Sequence, residues 1–322
     1  MAVYTEPTDE ELATLLNAWG LDGLRNFKGI AEGIQNSNFL IEVRQGRFIL
    51  TIYEKSVVLD DLPFYLGLTE TAANAGLPAA RPIRTQDGEM VQMIRGKPTS
   101  LCTFLDGVSS QHPPSSQTRA AGAALAQLHL ALADYPQKRP NDLGPHNWSE
   151  LWAGRAAHSE DLEPGIAPSI DQDLKEFAAN WPRDLPRGII HADLFPDNVL
   201  FLGDRVNGLI DFYFACEDFL AYDLAVMLNA WCFEANGREF DLVKGRALIM
   251  GYETVRPLSQ SERNALPLLA RGAALRFFLT RLVDWVTPMD GALVRKKDPR
   301  DYAARLAFHR NARSAADYGA PE

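Results

Sequence analysis

Apolar residues near the start of the chain recur at Leu12, Leu15, Leu16 and Trp19, the spacing of one helical face, directly after Thr8-Asp9-Glu10-Glu11. The Thr8 hydroxyl and the Glu11 carboxylate can each accept from the other's backbone N–H, and Gly20 can take a left-handed stop, so a short opening helix is predicted. From Asn26 the period changes to two. Phe39, Ile41 and Val43 alternate, Gln45-Gly46 can turn, and Phe48, Leu50 and Ile52 alternate again. That pattern predicts an antiparallel hairpin, preceded by a loop containing Gly29 and Gly33. Residues 60–75 return to helical spacing, with Asp60 or Asp61 at the start, Pro63 in the first turn and Gly76 past the end. Two more strands, 80–84 and 90–94, are predicted around a turn at Asp87-Gly88.

The pattern shifts after Gly96-Lys97-Pro98. Residues 101–107 read as an extended hinge, and a loop with Pro113 and Pro114 leads into an alanine-rich helix at 116–134, with Leu125, Leu128 and Leu130 on its apolar positions. Further helices are predicted at 168–180, 221–235, 238–252 and 259–285, and the strand-rich exception is 188–212. These elements describe an α+β chain: an N-terminal antiparallel-sheet lobe (1–100), a hinge (101–107) and a mainly helical C-terminal lobe (108–322), without internal repeats.

Composition narrows the class of partner. Of 322 residues 46% are hydrophobic, and 32 basic against 42 acidic residues leave a formal charge of -10. Such a chain does not suit a broad phosphate-backbone footprint on nucleic acid or attachment to an anionic membrane, so a small bound molecule is expected instead. No uninterrupted apolar stretch reaches the roughly 18 residues of a membrane span. Cys102, Cys216 and Cys232 form no CxxC pair, which suits a reducing compartment and offers no zinc framework. Glu6, Asp9, Glu10 and Glu11 precede the first basic residue, Arg25, the reverse of a targeting segment, so a cytoplasmic setting is expected. The sequence carries no signature of oligomeric state.

The richest chemistry lies at His191-Ala192-Asp193-Leu194-Phe195-Pro196-Asp197-Asn198, between two apolar strands. Beyond a turn at Gly203-Asp204 follows Asn207-Gly208-Leu209-Ile210-Asp211-Phe212. Phosphoryl transfer needs a carboxylate beside the attacking hydroxyl and oxygen ligands that hold magnesium against the nucleotide phosphates. Asp193, Asn198 and Asp211 supply that set: a short loop can turn Asp193 and Asn198 into one cleft, and a hairpin return brings Asp211 alongside. Singly, each is an ordinary turn former or strand-end cap. The ordered set, between strands and after an antiparallel lobe, points to a phosphotransferase. His191 reads as a packing residue that fixes the loop.

The order His-x-Asp-x-x-x-x-Asn, then Ile-Asp-Phe, resembles the kinase-like clan of small-molecule phosphotransferases, with aminoglycoside phosphotransferases and choline kinases among its members. Together with Asn36-Ser37-Asn38-Phe39, the stretch from Phe48 to Glu54, Ala75-Gly76-Leu77-Pro78, Ile210-Asp211-Phe212-Tyr213 and Ala274-Leu275-Arg276-Phe277-Phe278, it makes the chain similar to the homoserine kinases of that clan over about residues 8–316. The resemblance implies a two-lobed protein-kinase-like fold with the site between the lobes. It implies transfer of the γ-phosphoryl group of ATP, with Mg2+, to the side-chain hydroxyl of L-homoserine, on the way to threonine. Asp193 would orient or deprotonate that hydroxyl, Asn198 and Asp211 would hold magnesium, and Asp197 and Asp223 would be structural. Gly33, Asn36, Ser37 and Asn38 fall where the clan places the loop over the nucleotide phosphates; Thr103 and Phe104 fall at the hinge that meets adenine.

The sequence departs from the wider kinase pattern at Thr51, where the phosphate-binding Lys would stand. The usual pair with the helical Glu70 therefore does not form as expected, and Lys55 is the nearest basic residue. An amino-acid acceptor also needs a fixed cation for its carboxylate, for which the planar fork of Arg is suited. Arg276 and Arg281, among Leu275, Phe277, Phe278 and Leu282, are the candidates, with Asn229, Trp231 and Glu234 as further acceptor-wall residues. An ion pair of Arg281 with Asp284, three residues on, is the structural alternative. Two rival functions stay open: a kinase for another hydroxylated or aminated acceptor, and an inactive nucleotide-binding module, against which the joint presence of Asp193, Asn198 and Asp211 speaks.

Overall fold

The capping residues at Thr8 and Glu11 open a helix as predicted. In the computed structural model, which describes residues 5–30, 36–54, 59–234, 237–287 and 296–321, α1 (Asp9–Ala18) begins with the Thr8 N–H donating to the Glu11 carboxylate at 2.8 Å and the Glu11 N–H donating to the Thr8 hydroxyl at 3.3 Å. Its apolar face, Leu12, Leu15, Leu16 and Trp19, is buried with Phe39, Ile41, Val43, Phe48, Leu50 and Ile52. Those are the alternate positions of β2 and β3, so the two periodicities meet in one small core.

Five strands form the sheet: β1 (Asn26–Ile30), β2 (Asn36–Val43), β3 (Gly46–Tyr53), β4 (Val91–Ile94) and β5 (Lys97–Thr103), in the order β1-β2-β3-β5-β4 and antiparallel throughout. β2 and β3 pair Phe39 with Leu50 and Ile41 with Phe48, and close over Arg44-Gln45 with Val43 opposite Gly46. α2 (Leu62–Asn74) follows with Pro63 in its first turn and Gly76 at φ +87 beyond its end.

Three expectations are corrected here. Gly29, placed by its sequence in a loop, belongs to β1 and pairs with Phe39; this strand buries no side chain fully, so it has no apolar alternation to show. The strand expected at 80–84 reduces to isolated bridges, Ala79 with Leu209 and Pro82 with Cys102, because Pro82 lacks the N–H a ladder requires. Lys97, at the expected change of pattern, begins β5, an inner strand of the sheet. Gly33 and Lys55 lie outside the described residues.

The chain divides into two compact units. Unit 1 takes in the chain through Gly107 together with Asn207–Tyr213; unit 2 takes in Val108–Val206 and most of the chain from Phe214 onward. The inserted segment is tied to unit 1 by the Asn207 side-chain amide donating to the Asp106 carbonyl at 2.7 Å, by the Leu209 N–H donating to the Pro78 carbonyl at 2.8 Å, and by a hydrogen bond between the Tyr213 and Tyr53 hydroxyls at 3.2 Å. Asp211 therefore rides on unit 1, whereas Asp193 and Asn198 ride on unit 2.

Unit 2 begins with α3 (Ser115–Ala131), α4 (Pro145–Trp152), α5 (Ala156–Leu162) and α6 (Ile166–Asn180), then β6 (Arg187–Ile190) and β7 (Val199–Leu202), from which β8 (Arg205–Leu209) leads back into unit 1. β9 (Cys216–Phe219) pairs antiparallel with β6, and α7 (Leu220–Trp231), α8 (Leu242–Glu253), α9 (Gln260–Val286) and α10 (Arg300–Asn311) follow. The four helices expected at 168–180, 221–235, 238–252 and 259–285 correspond to α6 to α9. The shorter α4 and α5 show too few turns for their period to be read, and α10 buries a mixed set, Tyr302, Ala303, Leu306 and His309.

α3 and α8 approach closely at two glycines. A Cβ on Gly251 would stand 2.0 Å from the Arg119 carbonyl oxygen, and one on Gly122 would stand 2.3 Å from that of Leu248. These are backbone atoms, so Gly251→Ala must separate the helices. A loss of about 1–3 kcal/mol is expected, read by denaturant unfolding; an unchanged midpoint would show that α3 and α8 can part freely.

Candidate active site

Most backbone groups around Asp193 have a partner on a neighbouring element. β6 delivers the chain to His191, and Ala192 stands at φ +61, a left-handed conformation that an L side chain adopts at a cost. Asp223, fully buried in the first turn of α7, holds it there: its carboxylate accepts from the His191 N–H at 2.7 Å and the Ala192 N–H at 2.9 Å. His129 Nε2 of α3 lies 3.0 Å from the same carboxylate, and His129 Nδ1 lies 2.8 Å from the Tyr252 hydroxyl of α8. Burial opposes a charge on Asp223, but the His129 and His191 hydrogen bonds and charges outweigh it and hold the carboxyl below its ordinary value. An ionised Asp223 accepts from a donor on Nε2 of His129.

The carbonyls are gripped in turn. Arg276 of α9 donates to the Ala192 carbonyl, Trp231 Nε1 of α7 donates to that of Leu194 at 2.7 Å, and Asn198 Nδ2 donates to that of Asp193 at 2.7 Å. The Asp193 N–H donates to His191 Nδ1 at 3.3 Å. Such a loop presents the Asp193 carboxylate from a backbone that cannot drift, which is what a proton acceptor for an attacking hydroxyl requires. Asn198 Nδ2 also lies 3.4 Å from the Asp193 carboxylate. Its amide nitrogen is thereby committed, and Oδ1 is the atom left for a cation. Asp211, on unit 1, adopts φ +65, a second left-handed side-chain-bearing residue. Among the described residues no three His, Cys, Asp or Glu side chains gather to hold a metal by themselves.

The expected acceptor-wall residues turn out to have internal work. Arg276 and Trp231 brace the loop that carries Asp193. Asn229 is buried and satisfied, donating to the Ala225 and Ala270 carbonyls at 3.0 and 2.9 Å, with its Oδ1 3.0 Å from His309 Nε2. His309 has its pKa lowered by burial to about 3, so it meets Asn229 as neutral imidazole. Arg281 pairs with Asp301 of α10 at 3.0 Å instead of Asp284 on its own helix, and donates to the Asp298 carbonyl. Glu234 is exposed.

On unit 1, strand alternation sorts the nucleotide candidates. Ser37 shares the α1-facing side of β2 with Phe39 and Ile41; its hydroxyl donates to Glu54 at 2.6 Å, and Glu54 is ion-paired with Lys97. Asn38 faces the other side and accepts from the Thr51 hydroxyl at 2.8 Å, while Asn36 Oδ1 accepts from the Glu54 N–H at 3.4 Å. Glu70 is paired with Arg84 at 2.6 Å, which lowers its pKa. The Thr103 and Phe104 N–H groups donate to the Arg81 and Arg47 carbonyls at 2.9 and 3.2 Å. His129 and Tyr252 escaped the sequence, since a buried polar residue in an apolar stretch carries no local mark of its partner, and the pairing of Lys97 with Glu54 joins positions 43 residues apart.

A helical unit with a loop-borne Asp and Asn, and a five-stranded unit that carries a second Asp, are the parts of a kinase-like phosphotransferase. The chain belongs to the phosphotransferase enzyme family, whose sequence pattern matches residues 26–258. Within that family it is 51% identical over 319 residues to the homoserine kinase of Mesorhizobium japonicum, covering 99% of each chain, and 53% identical over 321 residues to the homoserine kinase of a Caulobacter species, covering 99% of this chain and 100% of that one. A solved amicoumacin kinase in complex with AMP-PNP and Ca2+ has the same fold: TM-score 0.65, 15% identity, 94% of this chain and 92% of its own covered.

Proposed function

We propose that the chain transfers the γ-phosphoryl group of ATP to the side-chain hydroxyl of L-homoserine, releasing O-phospho-L-homoserine and ADP. The observation that carries the acceptor is the identity of about half the residues with curated homoserine kinases along nearly the whole chain. The loop geometry supports the chemistry. Asp193 accepts the hydroxyl proton as the oxygen forms its bond to the γ-phosphorus and the bond to the β,γ-bridging oxygen breaks.

Asn198 Oδ1 and the Asp211 carboxylate are hard oxygen donors of the kind magnesium selects, and they would share the ion with the nucleotide. Magnesium would neutralise charge on the β- and γ-phosphates. Asn36, Asn38, Thr103 and Phe104 are the proposed nucleotide-side residues. Ser37 would act from behind the sheet through Glu54, and Glu70 stays with Arg84. Among the described residues no helix is long and apolar enough to cross a membrane. A cytoplasmic setting is part of the proposal, because the reaction consumes ATP and a free amino acid.

The test is ADP release with ATP and Mg2+ in the presence of L-homoserine, choline, an aminoglycoside, or buffer alone. Turnover well above buffer is expected with homoserine only. Faster turnover of either other acceptor would replace the assignment, and ATP binding without turnover of any acceptor would point to a binding module.

A further inference from the structure

Homoserine bound with its hydroxyl at Asp193 carries its carboxylate one short carbon chain away, and a desolvated carboxylate needs a cation held in place. Several cations in that neighbourhood of unit 2 hold carboxylates or carbonyls, and Arg305 is stacked on the rings of Tyr302 and Phe233 at 4.3 and 5.3 Å. Arg276 holds the Ala192 carbonyl and stacks on Phe277 at 4.4 Å. Arg281 holds Asp301 and the Asp298 carbonyl, and Arg300 clamps the Asp298 carboxylate. Lys296 donates to the Trp285 and Thr287 carbonyls at 2.8 and 3.1 Å.

Lys297 differs from all of these. It is exposed, no carboxylate among the described residues pairs with it, and its Nζ stands 5.4 Å above the ring of Phe195, two residues after Asp193. Its backbone is pinned from both sides, by Lys296 on the α9 carbonyls and by Arg281 on Asp298, so the ammonium starts from a fixed place.

A second, independent feature lies behind the same aromatic wall. Phe195 packs on Phe277 at 5.0 Å and Phe277 on Tyr302 at 5.2 Å. The Tyr302 hydroxyl is fully buried, has no hydrogen-bond partner among the described residues, and lies close enough to Asp193 to feel its charge. A buried hydroxyl left without a partner is costly, and a ligand polar group next to Asp193 would supply one.

We propose that Lys297 binds the α-carboxylate of the amino-acid acceptor, over the Phe195 ring, with the Tyr302 hydroxyl as a further polar contact of the same subsite; this rests on the function proposed above. Specificity for an amino acid over an amino alcohol then resides in Lys297.

The experiment compares kcat/KM for L-homoserine with that for aminopropanol, which keeps the hydroxyl and ammonium and lacks the carboxylate, in the wild-type chain, Lys297→Met and Lys297→Arg. In Lys297→Met the homoserine-to-aminopropanol ratio should fall about tenfold to a hundredfold, mostly through the homoserine KM, as expected for one charge-assisted hydrogen bond. Lys297→Arg should keep most of the ratio. An unchanged ratio in Lys297→Met, with the wild type active on homoserine, overturns the carboxylate site alone. A wild-type chain inert toward homoserine overturns the proposed function and this site together.

Discussion

Asp193→Asn should bind ATP with nearly wild-type affinity and lose about 10²–10⁴ of its turnover, the usual worth of a positioned proton acceptor. The substitution keeps the shape of the side chain, and the Asn198 bond to the Asp193 carbonyl is a backbone contact it does not touch. What disappears is the group proposed to take the homoserine proton as the phosphoryl group moves. Because nucleotide affinity and turnover are measured separately, by calorimetry and by ADP release, a loss confined to kcat identifies the base. Retention of more than about a tenth of wild-type turnover would remove Asp193 from that role.

Asp223→Ala should be the most damaging change to the architecture of the site. It leaves the His191 and Ala192 N–H groups and the His129 ring without the acceptor they share, all of them buried. Losing one member of such a buried charged network costs about 3–5 kcal/mol. The effect should appear twice: as a lower unfolding midpoint, and as a fall in kcat in the fraction that remains folded, because Ala192 is then no longer held at its left-handed φ. Asp223→Asn can still accept one of the two N–H bonds and should be milder in both respects. Equal stability of Asp223→Ala and wild type would mean that the loop is held by the Arg276, Trp231 and Asn198 bonds to its carbonyls without help from Asp223.

The residues proposed for catalysis were legible because their signal is local. Asp193, Asn198 and Asp211 belong to short runs bounded by strands, and no information from elsewhere in the chain is needed to see that two carboxylates and an amide in that order suit phosphoryl transfer. The same holds for the elements with strong periodicity: the Thr8 and Glu11 cap, the Phe39-to-Ile52 hairpin and the long α9 all follow from residues a few positions apart. The sequence also singled out Arg276 and Trp231, as residues of the acceptor wall. It could not say what they touch, since burial is a property of one position and a hydrogen bond belongs to two.

The sequence by itself thus determined the α+β architecture and the family, and it supplied the residues proposed to react. Tertiary structure alone decided which polar side chains hold the Asp193 loop. Arg276 reaches the Ala192 carbonyl across a sequence separation of 84 residues and Trp231 reaches that of Leu194 across 37. Asp223 and His129, 94 residues apart, meet only because α3 and α7 pack together. Edge strand β1 and the Lys97 pair with Glu54 have the same origin, as backbone pairing and a cross-strand ion pair leave no periodic trace in either partner alone. A buried polar group must find a partner or be destabilising, but which partner it finds is fixed by how the helices and strands pack.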